Sequence, residues 1–192
     1  MTIYTVGHST RSSAELLALL RDAEVELLAD VRSFPSSRRR PQFNRAALAA
    51  WLSSAGIRYE HLPGLGGRRS PSPGSPNGGW RETAFQGYAD HMASPEFQRA
   101  LVDLEAAARD CPTAIMCAEA VWWRCHRRLI ADALVVRDWR VEHLGIGERR
   151  AAHVLTDFAV VGPGGVLQYP PAQPPLPGAA SSGPGEAFTS HA

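Results

Sequence analysis

Ile3-Tyr4-Thr5-Val6-Gly7-His8-Ser9-Thr10, followed by Ser12 to Leu20 and then by Val25-Glu26-Leu27-Leu28-Ala29-Asp30-Val31-Arg32, is the stretch that decides the fold. The first run is short, apolar and β-branched and stops at a glycine, which reads as a buried strand. Ser12 and Glu15 have the spacing of a capping box, and Leu16, Leu17 and Leu20 then share one helical face. The third run is again a buried strand. Strand, helix and strand in this order predict a parallel pair joined by a crossover helix.

The same alternation continues outward. Asn44 can cap a helix carrying Leu48, Trp51 and Leu52 and stopped by Gly56, and a strand is expected over Ile57 to Leu62. Ser94-Pro95-Glu96 starts a helix with Phe97, Leu101 and Leu104 at core spacing, and Thr113 to Ala118 reads as a strand. A helix from about Trp123 to Arg137, a strand over Arg140 to Leu144, and a hairpin of Phe158–Val161 with Val166–Tyr169 complete the series. Residues 63–79 read as a long loop, of the kind that is functional or disordered. The expected architecture is a single compact α/β domain over residues 1–169, with a largely parallel sheet flanked by helices. Residues 170–192, rich in Pro and Gly, are expected to form a disordered tail.

Composition narrows the chemistry. All 20 basic residues are arginine, which removes Schiff-base, pyridoxal-phosphate and phosphate-loop lysines together. A GC-rich coding bias accounts for that choice, since Ala, Gly and Pro are abundant as well. With 44% hydrophobic and 20% charged residues in 192, the chain has enough apolar material for a core. No apolar run approaches the roughly 18 residues that span a bilayer, so no membrane association is expected. Three cysteines without a C-x-x-C pair argue against a disulfide scaffold, and no secretory signal is visible. A reducing cytoplasm is the expected compartment. The net charge of +1 hides a basic segment, because residues 31–69 hold eight arginines against the single acid Glu60.

Open parallel sheets bind ligands outside the carboxyl ends of their strands. Applied here, that edge receives His8, Ser9 and Thr10 from the first strand, Asp30 and Arg32 from the second, and Cys117 and Glu119 from the fourth. Three chemistries suit these residues. In the first, Cys117 or Cys125 is a nucleophile, activated by nearby arginines and a helix N-terminus, with His8 or His126 as base and Glu119 or Asp30 as acid or orienting group. The Cys-x5-Arg phosphatase loop is absent, because the sixth position after Cys117 is Trp123; a rhodanese-type loop is absent too.

The second chemistry is a metal, for which Cys117, Glu119, Cys125, His126 and His8 supply ligand types. Their spacing matches no closed zinc pattern, and adjacent Cys125 and His126 on a helix would point about 100° apart. No residue is therefore assigned as a metal ligand, and no cofactor is named. The third is anion binding, with Ser9 and Thr10 at a helix start and Arg32, Arg39 and Arg127 as cations for a small phosphate-bearing ligand. A nucleic acid held by Arg32 and Arg38 to Arg40 is the alternative partner. Phe34 and Phe43 are the loop aromatics that could stack on a base.

Taken together, Gly7-His8-Ser9-Thr10, Asp30-Val31-Arg32-Ser33-Phe34-Pro35, Pro41-Gln42-Phe43-Asn44, Leu65-Gly66-Gly67 and Cys117-Ala118-Glu119 with Cys125-His126-Arg127-Arg128 resemble the domain of unknown function 488 family. Trp80-Arg81, Phe85-Gln86-Gly87-Tyr88-Ala89, His153-Val154-Leu155-Thr156 and Tyr169-Pro170 fit the same pattern over roughly residues 1–170. The resemblance implies a compact α/β domain and carries no settled activity. A Pro- and Ser-rich insertion at Ser70 to Gly78 departs from it.

Overall fold

The computed structural model describes residues 1–146 and 150–172. Five parallel strands, β1 (Thr2–Gly7), β2 (Leu27–Asp30), β3 (Arg58–His61), β4 (Thr113–Cys117) and β5 (Arg140–His143), form the sheet, with the short antiparallel β6 (Ala151–Ala152) at its edge. The order across the sheet is β3-β2-β4-β1-β5-β6. A separate two-stranded hairpin, β7 (Val160–Val161) and β8 (Leu167–Gln168), stands where the sequence reading puts it, with shorter strands. The expected tail lies outside the described residues from 173 onward.

Each element follows from its residues. The box at Ser12 forms as expected: its hydroxyl accepts from Glu15 N, and the Glu15 carboxylate accepts from Ser12 N, opening helix α1 (Ser13–Asp22). Helix α2 (Arg45–Ser54) ends beside Gly56, whose φ of +79° suits a glycine. Asn44 precedes α2 but does not cap it through its side chain; its Oδ1 accepts from Ser37 N at 2.6 Å and ties down the arginine-rich loop. Helix α4 (Pro95–Asp110) starts at the Ser94 cap with Pro at its first position.

Two elements differ from the sequence reading. Helix α3 (Thr83–Met92) was not anticipated; it starts without a side-chain cap and carries Gly87 in its interior. A Cβ on Gly87 would lie 2.5 Å from Arg69 O, so the 63–79 loop packs directly on this helix. The expected helix from Trp123 is instead a 3₁₀ turn at Trp122–Arg124 and then α5 (Arg127–Val135), with an extended Cys125 between them (φ −136°, ψ 149°).

The sheet divides two cores. Val6, Leu28, Ala114 and Met116 pack against Leu16 and Leu20 of α1 and Leu48 and Leu52 of α2. Ile3, Ala29, Ile115 and Cys117 face Tyr88 of α3, Leu101 of α4 and Leu129 of α5. The chain therefore leaves β1 and β2 towards one face, and leaves β4, which lies between them, towards the other. Divergence of connections at neighbouring strand ends opens a crevice there. Among the described residues, no helix is long and apolar enough to cross a membrane.

Candidate functional site

The crevice beyond β4 is a cleft of about 620 Å³, lined by His8, Arg32, Glu119, Cys117, Cys125 and His126 among others. Its volume lies within the range of small-molecule sites. At its floor, Cys117 Sγ and Cys125 Sγ approach His126 Nδ1 at 3.8 and 3.7 Å. Both thiols are buried and no disulfide joins them. Cys117 is placed by the end of β4. Cys125 and His126 converge on it because Cys125 is extended and precedes α5; the 100° divergence expected of two helical neighbours does not apply.

His126 is held by a backbone acceptor. Its Nε2 lies 2.9 Å from Val31 O, and a carbonyl only accepts, so Nε2 carries the proton. In the neutral ring, Nδ1 then presents its lone pair to both sulfurs. Tyr88 packs beside the imidazole with ring centres 5.1 Å apart, and its hydroxyl donates to Leu65 O at 2.7 Å. Gly67 closes on the other atoms: a Cβ there would lie 2.8 Å from Nδ1. The Ser33 hydroxyl donates to Gly67 O at 2.6 Å and fastens that loop to the segment after β2.

Electrostatics separate the two thiols. Burial pushes Cys125 up, but the neighbouring Cys117, His126 and Arg127 outweigh it and hold Cys125 well below the ordinary thiol value. Cys117, beside that sulfur and itself buried, is raised. Cys125 is the thiol of the pair whose ionised form its surroundings favour. Arg127 supports it: the side chain is buried, and NH2 donates to Glu119 O at 2.6 Å. Among the described residues it pairs with no carboxylate.

The other residues anticipated from sequence fall into two groups. His8, Arg32 and Glu119 reach the cleft; Ser9, Thr10, Asp30, Arg39 and Arg127 are not among the residues that line it. Asp30 binds Arg32 through both oxygens, at 2.8 Å to Nε and 2.5 Å to NH2, and also accepts from Tyr59 OH at 2.9 Å. Arg32 NH1 donates to His8 Nε2 at 3.2 Å, and the His8 ring stacks on Phe43 at 4.4 Å. Burial and then Arg32 push His8 down to about 4. The Ser9 N–H, expected at an anion cradle, donates to Ala118 O.

Two lining arginines carried no role in the sequence reading. Arg68 and Arg124 are exposed on the cleft and unpaired among the described residues, and Trp123 is 42% exposed there, as Phe34 is at 72%. The Leu65-Gly66-Gly67 motif was the signal for the first of these, since two glycines in a long loop mark a close approach. Gly7 has a comparable constraint, because a Cβ there would stand 1.8 Å from Glu119 O.

No curated protein and no solved structure matches this chain. The family described as Domain of unknown function DUF488 matches residues 12–134, from α1 to the end of α5, and so includes Cys117, Cys125 and His126. The chain belongs to that family.

Proposed function

We propose that the chain is an enzyme that takes a small anionic, phosphate-bearing ligand into the cleft at the β1, β2 and β4 ends, with the Cys117–Cys125–His126 cluster as its reactive centre. The observation that carries the reading is the convergence of two thiols and an oriented imidazole on the floor of a cleft at the divergence of the strand connections. Arg68 and Arg124 on the wall, which pair with no acid among the described residues, supply cations for the ligand's charge, and the buried Arg127 adds a fixed positive field. Glu119, two residues after Cys117 and exposed in the same cleft, is the acid or base. Asp30 and Arg32 act as positioning residues that hold His8.

Binding of inorganic phosphate, pyrophosphate and nucleotides to the reduced chain tests this reading. At least one should bind and slow iodoacetamide labelling of Cys117 and Cys125. Arg124→Ala should weaken that ligand about 10- to 100-fold, the value of about 1.5–3 kcal/mol for a charge-assisted hydrogen bond. If none of these ligands binds or protects, the reading fails.

A second reading rests on exposure: Phe34 and Trp123 stand open on the cleft, and Arg38 and Arg39 are exposed on the loop that follows β2. Aromatic and cationic groups in this arrangement suit a single-stranded nucleic acid. Its signature is oligonucleotide affinity that falls steeply with salt and weakens when Arg38 and Arg39 become Ala; salt-independent binding, or none, removes it.

A further inference from the structure

We infer that Cys117 Sγ, Cys125 Sγ and His126 Nδ1 form a three-ligand site for one thiophilic divalent cation of the zinc class, with the fourth coordination position open to the cleft. The inference deepens the proposed function by naming what its reactive cluster holds, and it rests on the same cleft.

Three observations meet here. First, the three donor atoms lie within 4.8 Å of one another. For tetrahedral zinc, with Zn–S of about 2.3 Å and Zn–N of about 2.0–2.1 Å, sulfur and nitrogen stand about 3.6 Å apart. The S···N separations of 3.8 and 3.7 Å come within about 0.2 Å of that spacing.

Second, hydrogen bonding within the cluster leaves a deficit that a cation removes. Nδ1 has one lone pair, and two thiols face it at nearly equal distance. Only one S–H can donate to it. A cation at the centre engages the lone pair and both sulfurs together, and its binding releases the two thiol protons to solvent as both sulfurs become thiolates.

Third, the surroundings are those of a ligand set rather than of a loose thiol pair. His126 donates its other ring nitrogen to the Val31 carbonyl, the outer contact that fixes the tautomer of a metal-bound histidine. Cys117 and Cys125 are 6% and 3% exposed, so the donors are held by packing, while the cleft above remains accessible. Gly67 keeps the space beside Nδ1 clear, since a Cβ there would stand 2.8 Å from that nitrogen. Three protein ligands with one open position is the arrangement of catalytic rather than structural zinc. The Glu119 carboxylate is outside the cluster, which leaves the fourth position to water or to the anionic ligand.

The test is titration of the full-length, reduced, chelator-treated chain with Co²⁺ and then Zn²⁺. The expected result is one Co²⁺ per chain, with a thiolate-to-cobalt charge-transfer band and tetrahedral d–d bands that Zn²⁺ abolishes. Cys117→Ser, Cys125→Ser and His126→Gln should each weaken binding by more than about 100-fold, beyond the 10- to 100-fold cost of losing an outer contact. Cys111→Ser, which lies outside the cluster, should bind as the parent does.

A measurement on the unmodified chain stands independently of whether those variants fold. Zn²⁺ should protect Cys117 and Cys125 from iodoacetamide and leave Cys111 unchanged. Absence of stoichiometric binding, a bound Co²⁺ lacking the charge-transfer band, or equal protection of Cys111 would overturn the inference. Metal binding without any affinity for phosphate-bearing ligands would sink the proposed function alone; phosphate binding without metal would sink this inference alone.

Discussion

His126 donates through Nε2 to Val31 O, and that bond leaves Nδ1 as the acceptor facing two sulfurs. Its clearance depends on Gly67, so Gly67→Ala should push the imidazole off the cluster while the fold persists. The expected readout is an unchanged circular dichroism spectrum with Co²⁺ affinity lowered at least about 10-fold, the scale of a disturbed outer contact. A second set of residues is purely internal. The Thr5 hydroxyl donates to His143 Nδ1 at 2.7 Å, His143 Nε2 to His153 Nδ1 at 3.0 Å, and His153 Nε2 to Asp132 Oδ1 at 2.8 Å. Tyr169 OH donates to the other Asp132 oxygen at 2.9 Å. Asp132→Ala would leave His153, Tyr169 and the Thr156 N–H without their acceptor. Leaving three buried donors without their acceptor costs about 1–3 kcal/mol each, so the melting temperature should fall by roughly 10 °C. Burial, then His153 and Arg127, push His143 down to about 3 from an ordinary 6.5. Its unfolded form therefore takes up a proton first as pH falls, and stability should be full above about 6.5 and decline towards pH 3. His8, held at about 4 by burial and Arg32, adds in the same direction. Denaturant midpoints measured from pH 7.5 to 4.5 check this, and His143→Gln should flatten the slope.

At the scale of elements, α1 and α4 were legible because their starts carry local chemistry. Ser12 with Glu15, and Ser94 with Pro95, satisfy helix N-termini through side chains adjacent in sequence. Ser12→Ala removes one reciprocal cap and should lower stability by about 1 kcal/mol in chemical denaturation. Helix α3 was not legible, because it has no such cap and contains Gly87; the packing of Tyr88 and Met92 in the core and of the loop on Gly87 stabilises it. The segment from Trp122 to His126 misled for a related reason. Its composition suits a helix, yet Cys125 turns extended before α5 begins, and that one residue brings two neighbouring ligand types to a common point. Asn44 shows the same limit from the other side, since its side chain was claimed by Ser37 rather than by the helix it precedes.

For the whole molecule, the α/β class could be read from the alternation of strands and helices, and a cleft lies at the strand-end edge on which the sequence reading placed its candidates. The order β3-β2-β4-β1-β5-β6 could not be read this way, since the central place of β4 comes from long-range pairing with both β1 and β2, as in Ile3 with Thr113 and Leu27 with Thr113. That placement sets Cys117 between the ends of β1 and β2, and it is why His8 and Arg32 reach one cleft with the two thiols. The arginines show a similar division between sequence and structure. The basic segment was visible as a charge excess, but its Arg32 is bound by Asp30, and the cleft cations that pair with no acid among the described residues are Arg68, at the end of that segment, and Arg124. The central claim is that this cleft is a reactive centre built on Cys117, Cys125 and His126. Diffraction at the zinc absorption edge, from crystals of the reduced chain grown with Zn²⁺ and pyrophosphate, tests it most directly. The account predicts one anomalous peak about 2.3 Å from both sulfurs and about 2.0–2.1 Å from Nδ1, with the anion on its open side near Arg124. An unoccupied cluster, or a peak held by other residues, would contradict it.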